Sequence, residues 1–535
     1  MPRIPTRLTA AMIAEFAGGG YWPNQTLGDV LRRRARAQPE KTAVVDARTR
    51  LTYGALDGLV DRVATGLAAH GVGPGDVVSS VLPNRAEAVV LLYAVARLGA
   101  VANPIVPIYG AREIRFILRQ AESVAVVVPE QFRGVDYAAL VERVRPDVPS
   151  LRTTFVVRDT LPEALLGDPG PPLPAPDPDG VAVILYTSGT TADPKGVLHS
   201  HNTLLSECRS TRAYHRLGPD EVLVMPSPVS HISGLLYGML LPVVLGATSV
   251  LMERWDADAF CALVEHERGT FSAGATPFLQ GAVEVAAAGH HDLSSLRLFP
   301  CGGADVPPDL IRRAVDVLGV RSGRGYGSTE FPSITSSAGP DVPDGKRAET
   351  DGAPVPPNRI ELRDEAGGPV PPGAVGEIWA RGPELCLGYR DSALDAEAFD
   401  ARGFFRSGDL GVVDADGYLT ITGRVKDIIV RAGEKLSAKE IEDLLFECPK
   451  VRRVAVVPVP DAKVGERVCA VVVPADPAAP PTLPELVHFL EAREVSRRKL
   501  PEHLELVDEL PTTASGKVQK HLLRERIARR GGRGA

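Results

Sequence analysis

The chain reads YTSGTTADPKG from Tyr186 to Gly196, directly after the apolar run VAVIL at residues 181–185. A short apolar, β-branched run predicts a buried strand, and the hydroxyl- and glycine-rich segment after it predicts a loop. The N–H and O–H donors of such a loop, with the cation of Lys195, can wrap a polyphosphate. The spacing does not fit GxxxxGK[ST], which excludes an NTPase-type phosphate loop. Composition alone would equally allow a polar surface loop.

Helix and strand patterns alternate on both sides of this loop. Residues 27–130 alternate helical periodicity with short β-rich runs, which is typical of βα units around a sheet. After about residue 330, short β segments with Gly and Pro turns predict a small β-barrel or a distorted sheet. From residue 427 a second unit begins, in which Ser437 and Glu440 form a capping-box signature.

The predicted fold class is therefore α/β. It comprises a large N-terminal multi-layer α/β domain with a small β-barrel-like subdomain, followed by a small mobile α+β C-terminal domain. The predicted bounds are 1–422 for the first domain, 423–428 for a hinge and 429–535 for the second domain.

Composition and charge narrow the class of protein. The 535 residues exceed what one core supports, and 60 Lys and Arg against 67 Asp and Glu give a net charge of −7. Such a chain offers no global field for nucleic acid or an anionic membrane, so an anionic ligand needs a local site. The six cysteines form no CxxC, which favours reduced thiols and a cytoplasmic location. No signal peptide is expected, and no apolar run reaches the ~20 residues of a membrane span.

Five further motifs follow the first one along the chain: GGA at 302–304, YGSTE at 326–330, SGD at 407–409, GRVKD at 423–427 and TTASGK at 512–517. Each alone would be explained as a turn, a cap or a linker charge. In this order and at this spacing, the six motifs resemble those of the ANL superfamily of adenylate-forming enzymes. The resemblance covers nearly the whole chain and points to the acyl-CoA synthetase branch.

The resemblance implies a nucleotide site with defined roles. Tyr326 would stack on the purine, Thr329 would contact a phosphate, and Glu330 would ligate Mg²⁺. Asp409 would bind the two ribose hydroxyls, and Arg424 the ribose or a phosphate. The other ATP contacts implied are Thr187, Ser188, Gly189, Thr190, Thr191, Lys195, Gly302, Gly303, Ala304, Gly327 and Ser328.

Two lysines receive special roles from the same resemblance. Lys517 would be the catalytic lysine, whose ammonium offsets the repulsion between the substrate carboxylate and the α-phosphate. Lys426 would be the hinge about which the small domain rotates between two half-reactions. Outside these motifs, both would be interpreted as surface charges.

The segment SPVSHISGLLYG at 227–238 resembles the start of the family's acyl pocket. His231 could shape the carboxylate end or sense coenzyme A, or it could simply pack. Ile232 stands where amino-acid-activating members usually carry Asp, which disfavours an α-amino acid. Phe278, Gly302 and the region after Glu330 would line the rest of the pocket. Fatty, alicyclic and aromatic acids all remain possible substrates.

The acyl acceptor is expected to be coenzyme A. Gly433, in RAGEKLSAKEIE at 431–442, resembles the glycine that faces the pantetheine tunnel in CoA ligases. Many relatives have Asn where Glu434 and Lys435 stand, so an acyl-AMP ligase that loads a carrier protein stays open. A catalytically decayed nucleotide-binding protein is the alternative from another class. We expect ATP, Mg²⁺, coenzyme A and a small carboxylic acid as ligands, no nucleic acid, and a monomer or homodimer.

Overall fold

A computed structural model gives the conformation of most of the chain. The residues that it describes are 4–168, 175–187, 194–461, 463–512 and 518–531. They fall into two compact units, of which the first comprises Met1–Arg359 and Arg381–Phe405. The second comprises Ile360–Ala380 and Arg406–Ala535. A large α/β unit and a smaller second unit were both expected from the sequence.

The elements before residue 168 follow the predicted βα pattern. Thr26 and Asp29 form a complete capping box at the start of the second helix, which satisfies backbone donors that the helix itself leaves open. In chain order the elements are α1 (Ala10–Gly18), α2 (Leu27–Ala37), β1 (Thr42–Val45), β2 (Arg50–Thr52), α3 (Tyr53–Ala69), β3 (Val77–Ser80), α4 (Ala86–Leu98), β4 (Val101–Pro104), α5 (Ala111–Gln120), β5 (Ser123–Pro129), β6 (Gln131–Phe132), β7 (Val135–Asp136), α6 (Tyr137–Val144) and β8 (Thr153–Val157).

The chain from residue 175 to residue 354 completes the layers of the first unit. A π-helical turn, Leu235–Leu240, lies between its eighth and ninth helices. The elements are β9 (Val181–Thr187), β10 (Lys195–Ser200), α7 (His201–His215), β11 (Val222–Met225), α8 (Ile232–Gly234), α9 (Leu241–Leu245), β12 (Thr248–Leu251), α10 (Ala257–Glu267), α11 (Thr276–Ala287), β13 (Leu298–Gly302), α12 (Pro308–Leu318), β14 (Arg321–Tyr326), β15 (Thr335–Ser336), α13 (Asp344–Glu349) and β16 (Ala353–Pro354).

Two sheets and the helix α4 form the layers of the first unit. One sheet has the order β10-β9-β4-β3-β5-β8, and every residue of β5 is buried, as expected of a strand covered on both faces. The second runs β2-β1-β12-β11 and β13-β14-β15-β16, joined through Phe271, which pairs with Leu223 and Leu298. All residues of α4 are buried, and its apolar side chains share one core with residues of both sheets. A helix that is apolar around most of its circumference is stable only between layers.

The second unit contains a four-stranded sheet and an α+β part. The four strands have the order β17-β18-β19-β20, and the other sheet runs β22-β21-β24-β23 with β25 on β24. The remaining elements of the chain are β17 (Arg359–Arg363), β18 (Gly376–Arg381), α14 (Asp395–Ala398), which belongs to the first unit, β19 (Phe405–Val413), β20 (Leu419–Arg424), β21 (Ile428–Arg431), β22 (Glu434–Ser437), α15 (Ala438–Phe446), β23 (Val451–Asp461), β24 (Gly465–Pro474), α16 (Leu483–Glu491), β25 (His503–Leu506) and α17 (Lys520–Gly531).

The predicted capping box of α15 forms only in part. The Ser437 hydroxyl accepts from the Glu440 N–H at 3.2 Å. The Glu440 carboxylate does not reach back to Ser437, because it pairs with Lys499 at 2.6 Å instead. Ser437 Oγ also donates to the carbonyl of Thr422, at 2.5 Å. The start of α15 is thereby tied to β20, beside the predicted hinge.

Candidate active site

The polar loop at 186–196 is flanked by an antiparallel strand pair. Lys195, the first residue of β10, lies opposite Thr187, the last residue of β9. A tight strand pair therefore fixes both ends of the loop. Four predicted phosphate contacts, Ser188, Gly189, Thr190 and Thr191, lie outside the described residues.

Tyr389 brings Lys195 and Glu330 together. Its hydroxyl donates to Glu330 Oε1 at 2.7 Å, and Lys195 Nζ lies 5.4 Å from the centroid of its ring. The ring is 3% exposed, and burial, followed by the nearby Glu330 charge, raises the pKa of Tyr389 far above its ordinary value. The hydroxyl therefore stays protonated at neutral pH and acts as a donor. A cation and an anchored carboxylate thus share one aromatic ring.

The segment that carries Tyr389 runs along the outer edge of β10. Backbone hydrogen bonds join Leu387 to Leu198 at 2.7 Å and Arg390 to Gly196 at 2.7 Å. These bonds hold the tyrosine in register with the lysine that starts the strand. The carbonyl of Glu330 in turn accepts from the N–H of Cys386 at 2.8 Å.

His199 holds the backbone of the YGSTE turn. It is fully buried on β10, and burial lowers its pKa to about 4, so the ring is neutral near pH 7. Its Nε2 donates to the carbonyl of Thr329 at 2.8 Å, and its Nδ1 contacts Thr203 Oγ1 at 3.1 Å. Packing and hydrogen bonding thus account for the position of His199 on β10.

The GGA and YGSTE motifs lie side by side at the carboxyl ends of two parallel strands. Gly302 of β13 is paired with Gly325 of β14, and a Cβ at Gly302 would stand 2.2 Å from the Gly325 carbonyl oxygen. Gly303 has φ +79°, a conformation that favours glycine. Ala304 follows it and packs at the edge of the core around α11 and α12. Carboxyl ends of parallel strands are where α/β folds bind ligands.

The YGSTE turn itself is tightly closed. The N–H of Ser328 donates to the carbonyl of Phe331 at 2.9 Å. A Cβ at Gly327 would stand 1.9 Å from the carbonyl oxygen of Pro332, so only glycine fits there. Tyr326 ends β14 and is 9% exposed. The predicted stacking of Tyr326 on a purine stays a prediction.

The SGD and GRVKD motifs meet in the second unit. Asp409 on β19 lies opposite Arg424 on β20, and Arg424 Nε is 3.1 Å from Asp409 Oδ1. The N–H of Asp409 also donates to Ser407 Oγ at 3.1 Å. Two residues predicted to bind ribose and phosphate therefore form one ion pair. Their roles toward a nucleotide stay predictions.

Lys426, the predicted hinge, lies in a 3₁₀ turn at Val425–Asp427. The next residue, Asp427, is held from α17: Arg524 Nη1 lies 3.1 Å from Asp427 Oδ1, and Lys520 Nζ lies 4.0 Å from Asp427 Oδ2. Helix α17 begins three residues after Lys517, which lies outside the described residues.

Gly433 forms the turn between β21 and β22. Its φ is +83°, and a Cβ there would meet no atom within 4 Å. The glycine is thus required by its backbone conformation, and one face of the turn is open. Glu434, which departs from the family pattern, is paired with Arg498 at 2.7 Å.

The predicted acyl-pocket residues belong to two regions of the first unit. His231 is the N-cap of the helical stretch that starts at Ile232, and its Nδ1 lies 3.0 Å from Ser233 Oγ. Ile232 is 6% exposed and belongs to the core around α4. Phe278 on α11 packs edge-on against Trp255 with ring centroids 4.9 Å apart. Both regions are mainly apolar, as a hydrocarbon-binding pocket requires.

The described residues contain no group of three or more His, Cys, Asp or Glu side chains able to hold a metal ion. Mg²⁺ needs no such group, because it is usually bound by one or two carboxylates together with substrate phosphates. Glu330, with one oxygen held by Tyr389, fits that requirement.

Within the same described ranges, none of the helices combines the length and apolar character that a membrane crossing requires.

Comparison with known proteins identifies the family. The sequence matches the AMP-binding enzyme family over residues 31–390 and its C-terminal domain over residues 440–517. The medium-chain fatty-acid–CoA ligase of Escherichia coli (strain K12) is 36% identical over 532 residues, 97% of this chain and 93% of its own. A salicyl-AMP ligase / salicyl-S-ArCP synthetase of Mycobacterium tuberculosis is 33% identical, with 95% and 92% covered.

A solved structure agrees with these matches. The crystal structure of ATP-bound MatB from Rhodopseudomonas palustris superposes with a TM-score of 0.85 at 30% identity, covering 94% of this chain and 99% of the other. The family resemblance drawn from the six motifs is confirmed. The chain belongs to the ANL superfamily of adenylate-forming enzymes and, within it, to the acyl-CoA synthetase branch of AMP-forming ligases that use ATP and coenzyme A.

Proposed function

We propose that this enzyme joins a fatty, alicyclic or aromatic acid to AMP and then transfers the acyl group to the thiol of coenzyme A. The observation that carries the proposal is the Lys195–Tyr389–Glu330 arrangement at the start of β10. It supports the proposal because a lysine suited to bind phosphate and a carboxylate suited to hold a metal ion lie beside the turn that contains Thr329. Both are needed where an anionic acid attacks an anionic phosphate.

In the first half-reaction the acid's carboxylate oxygen attacks the α-phosphorus of ATP, and the bond to pyrophosphate breaks. Lys195 and the N–H groups of its loop would bind the departing phosphates. Lys517 would stabilise the charge that develops at the α-phosphate. Mg²⁺ held by Glu330 would neutralise part of the phosphate charge when bound. Asp409 and Arg424 would hold the ribose.

In the second half-reaction the thiol of coenzyme A attacks the acyl-AMP carbonyl, and AMP leaves. The turn at Gly433 would then face the pantetheine arm, after rotation about Lys426. We propose domain bounds of 1–422 and 429–535 around a hinge at 423–428. The family matches, which end at residue 390 and resume at 440, leave this interval between them.

Transfer to a carrier protein is the second candidate. Two observations support this candidate. Glu434 and Lys435 depart from the pattern of CoA ligases. The Mycobacterium tuberculosis relative is named as a salicyl-S-ArCP synthetase. A decayed nucleotide-binding protein is disfavoured, because Glu330 and Asp409 are both present and hydrogen-bonded or ion-paired.

Pyrophosphate release over a panel of carboxylic acids, with and without coenzyme A, tests the proposal. We expect acid-dependent release and, with coenzyme A, an acyl-CoA product. Acid-dependent release with an acyl-AMP product that coenzyme A does not consume would favour the carrier-protein alternative. A protein that binds no ATP and releases no pyrophosphate with any acid would refute the adenylation proposal itself.

A further inference from the structure

Two glutamates, Glu207 on α7 and Glu384 after β18, are fully buried in the first unit. Neither forms an ion pair with a lysine or arginine among the described residues. Glu207 Oε2 and Glu384 Oε1 are buried and lack a hydrogen-bond donor. Two unpaired buried charges would cost many kcal/mol, so such groups avoid being ionised together.

A single shared proton resolves this arrangement. Burial raises the pKa of Glu384 well above its ordinary value, and the charge and direct contact of Glu207 raise it further. Glu384 is therefore the neutral member, and its O–H donates to the otherwise unsatisfied oxygen of Glu207. Asn358 Nδ2 donates to the other Glu384 oxygen at 2.9 Å.

Three hydroxyls donate to Oε1 of Glu207. Ser333 Oγ is at 2.7 Å, Thr211 Oγ1 at 2.9 Å and Tyr237 Oη at 3.3 Å. Tyr237 and Ser333 also contact each other at 3.1 Å. Each hydroxyl has one proton, which goes either to Glu207 or to the other hydroxyl, so toward any further neighbour both oxygens can only accept hydrogen bonds.

Tyr237 and Ser333 are only partly buried, and each belongs to a segment proposed to line the acyl pocket. Tyr237 is the second-last residue of the stretch at 227–238, and Ser333 lies three residues after Glu330. We propose that Glu207, by accepting the hydroxyl protons of Tyr237 and Ser333, makes this pair a hydrogen-bond-accepting patch that selects acids carrying a hydroxyl or amino donor. This inference rests on the proposed function and narrows its substrate class.

The physical basis is the cost of an unmade hydrogen bond. A hydrocarbon acid against the patch would cover two polar oxygens without giving them a donor. An acid with a suitably placed hydroxyl or amino group would satisfy one or both. Sites built to hydrogen-bond a substrate group discriminate strongly against the analogue that lacks it. We therefore expect a ratio of kcat/KM of about 10 or more in favour of the donor-bearing acid.

The test measures acid-dependent pyrophosphate release with matched pairs: para-hydroxybenzoate against benzoate, and omega-hydroxyoctanoate against octanoate. Glu207→Met should lower the kcat/KM ratio of the preferred pair about 10-fold, because the freed hydroxyls can turn outward. Should that variant fail to fold, Ser333→Ala, which removes one accepting oxygen, should lower the same ratio. Thr211→Val is the matched control: it removes a donor to the same carboxylate oxygen from within α7, and should leave the ratio unchanged.

The shared proton is tested separately, by the thermal stability of a Glu384 variant. Glu384→Gln places an N–H where the proposed O–H lies, so the melting temperature at pH 7 should stay within a few degrees of wild type. A clear rise would mean that both carboxylates are ionised in the native protein, and would overturn the shared proton. An active wild type with ratios near one for both acid pairs would overturn the selectivity inference alone. Absence of pyrophosphate release with every acid would instead overturn the proposed function.

Discussion

Replacing Tyr389 by phenylalanine removes one hydroxyl and keeps the ring that faces Lys195. The lost bond is the 2.7 Å contact to Glu330 Oε1. Hydrogen bonds to charged groups contribute about 1.5–3 kcal/mol. If the bond positions Glu330 for the metal-bound phosphates, that loss corresponds to a fall of about 10- to 150-fold in kcat/KM for ATP.

Tyr389→Leu should cost more, because it removes the ring as well. The ring centroid lies 5.4 Å from Lys195 Nζ, within the range of a cation–π interaction. Such contacts contribute about 0.5–2 kcal/mol, so the leucine variant should be roughly 2- to 30-fold slower than the phenylalanine variant. The two variants together separate the hydrogen bond from the aromatic contact.

The assay is ATP-dependent pyrophosphate release at saturating acid, with Mg²⁺ titrated in each variant. We expect the Mg²⁺ requirement to rise in Tyr389→Phe. Tyr214→Phe is the control. Tyr214 lies on α7, and this substitution also removes one hydrogen bond, from the Tyr214 hydroxyl to the carbonyl of Ser336 at 2.6 Å. Equal effects of the two phenylalanine substitutions on kcat/KM would refute the positioning argument, since they would reflect a general loss of stability.

Four further outcomes are expected from the proposed roles and the observed contacts. Lys517→Ala should slow adenylate formation by about 10²–10³ and spare thioester formation from supplied acyl-AMP; equal loss in both steps would contradict its assigned role. Lys426→Pro should spare the first half-reaction and slow the second, as single-turnover assays of each step would show; unchanged coupled turnover would contradict the hinge. Asp409→Ala should raise KM for ATP about 10-fold or more, and an unaltered KM would remove Asp409 from the ribose site. His199→Asn should reduce the loss of unfolding free energy between pH 7 and pH 5, measured by denaturant titration at each pH. The buried ring has a pKa of about 4 against about 6.5 when unfolded, so about 2 kcal/mol of the unfolding free energy present at pH 7 is lost by pH 5. Identical pH dependence in both proteins would contradict this assignment.

Features with a local signature could be predicted from the sequence. The apolar run at 181–185, the helical periodicity before residue 130 and the alternation after residue 427 each appear as elements close to the expected bounds. Their periodicity reports burial directly, because one side of each element must face a core. The six motifs likewise identified the family, since each is a contiguous string. Gly302 and Gly433 show the physical reason for two of the glycines, a close backbone approach and a positive φ.

Partners far apart along the chain could not be predicted in this way. Tyr389 and Glu330 are separated by 59 positions, and His199 and Thr329 by 130, and no local pattern links either pair. Glu207 lies in an otherwise ordinary helix, where a lone glutamate predicts an exposed face. Only the packing of α7 brings it against other elements. The grouping of residues 360–380 with the second unit also depends on tertiary contacts, because a β-rich segment carries no mark of which core it joins.

The position of Tyr389 supports the phosphate contact proposed for Lys195. A direct ion pair between Lys195 and Glu330 would satisfy both charges and leave neither for ATP. Tyr389 instead satisfies the carboxylate with a neutral hydroxyl and offers the ammonium only the face of its ring. No carboxylate among the described residues forms an ion pair with Lys195. In a chain of net charge −7, which supplies no attractive field for polyanions, a cation held by a ring and not by a carboxylate stays available for phosphate.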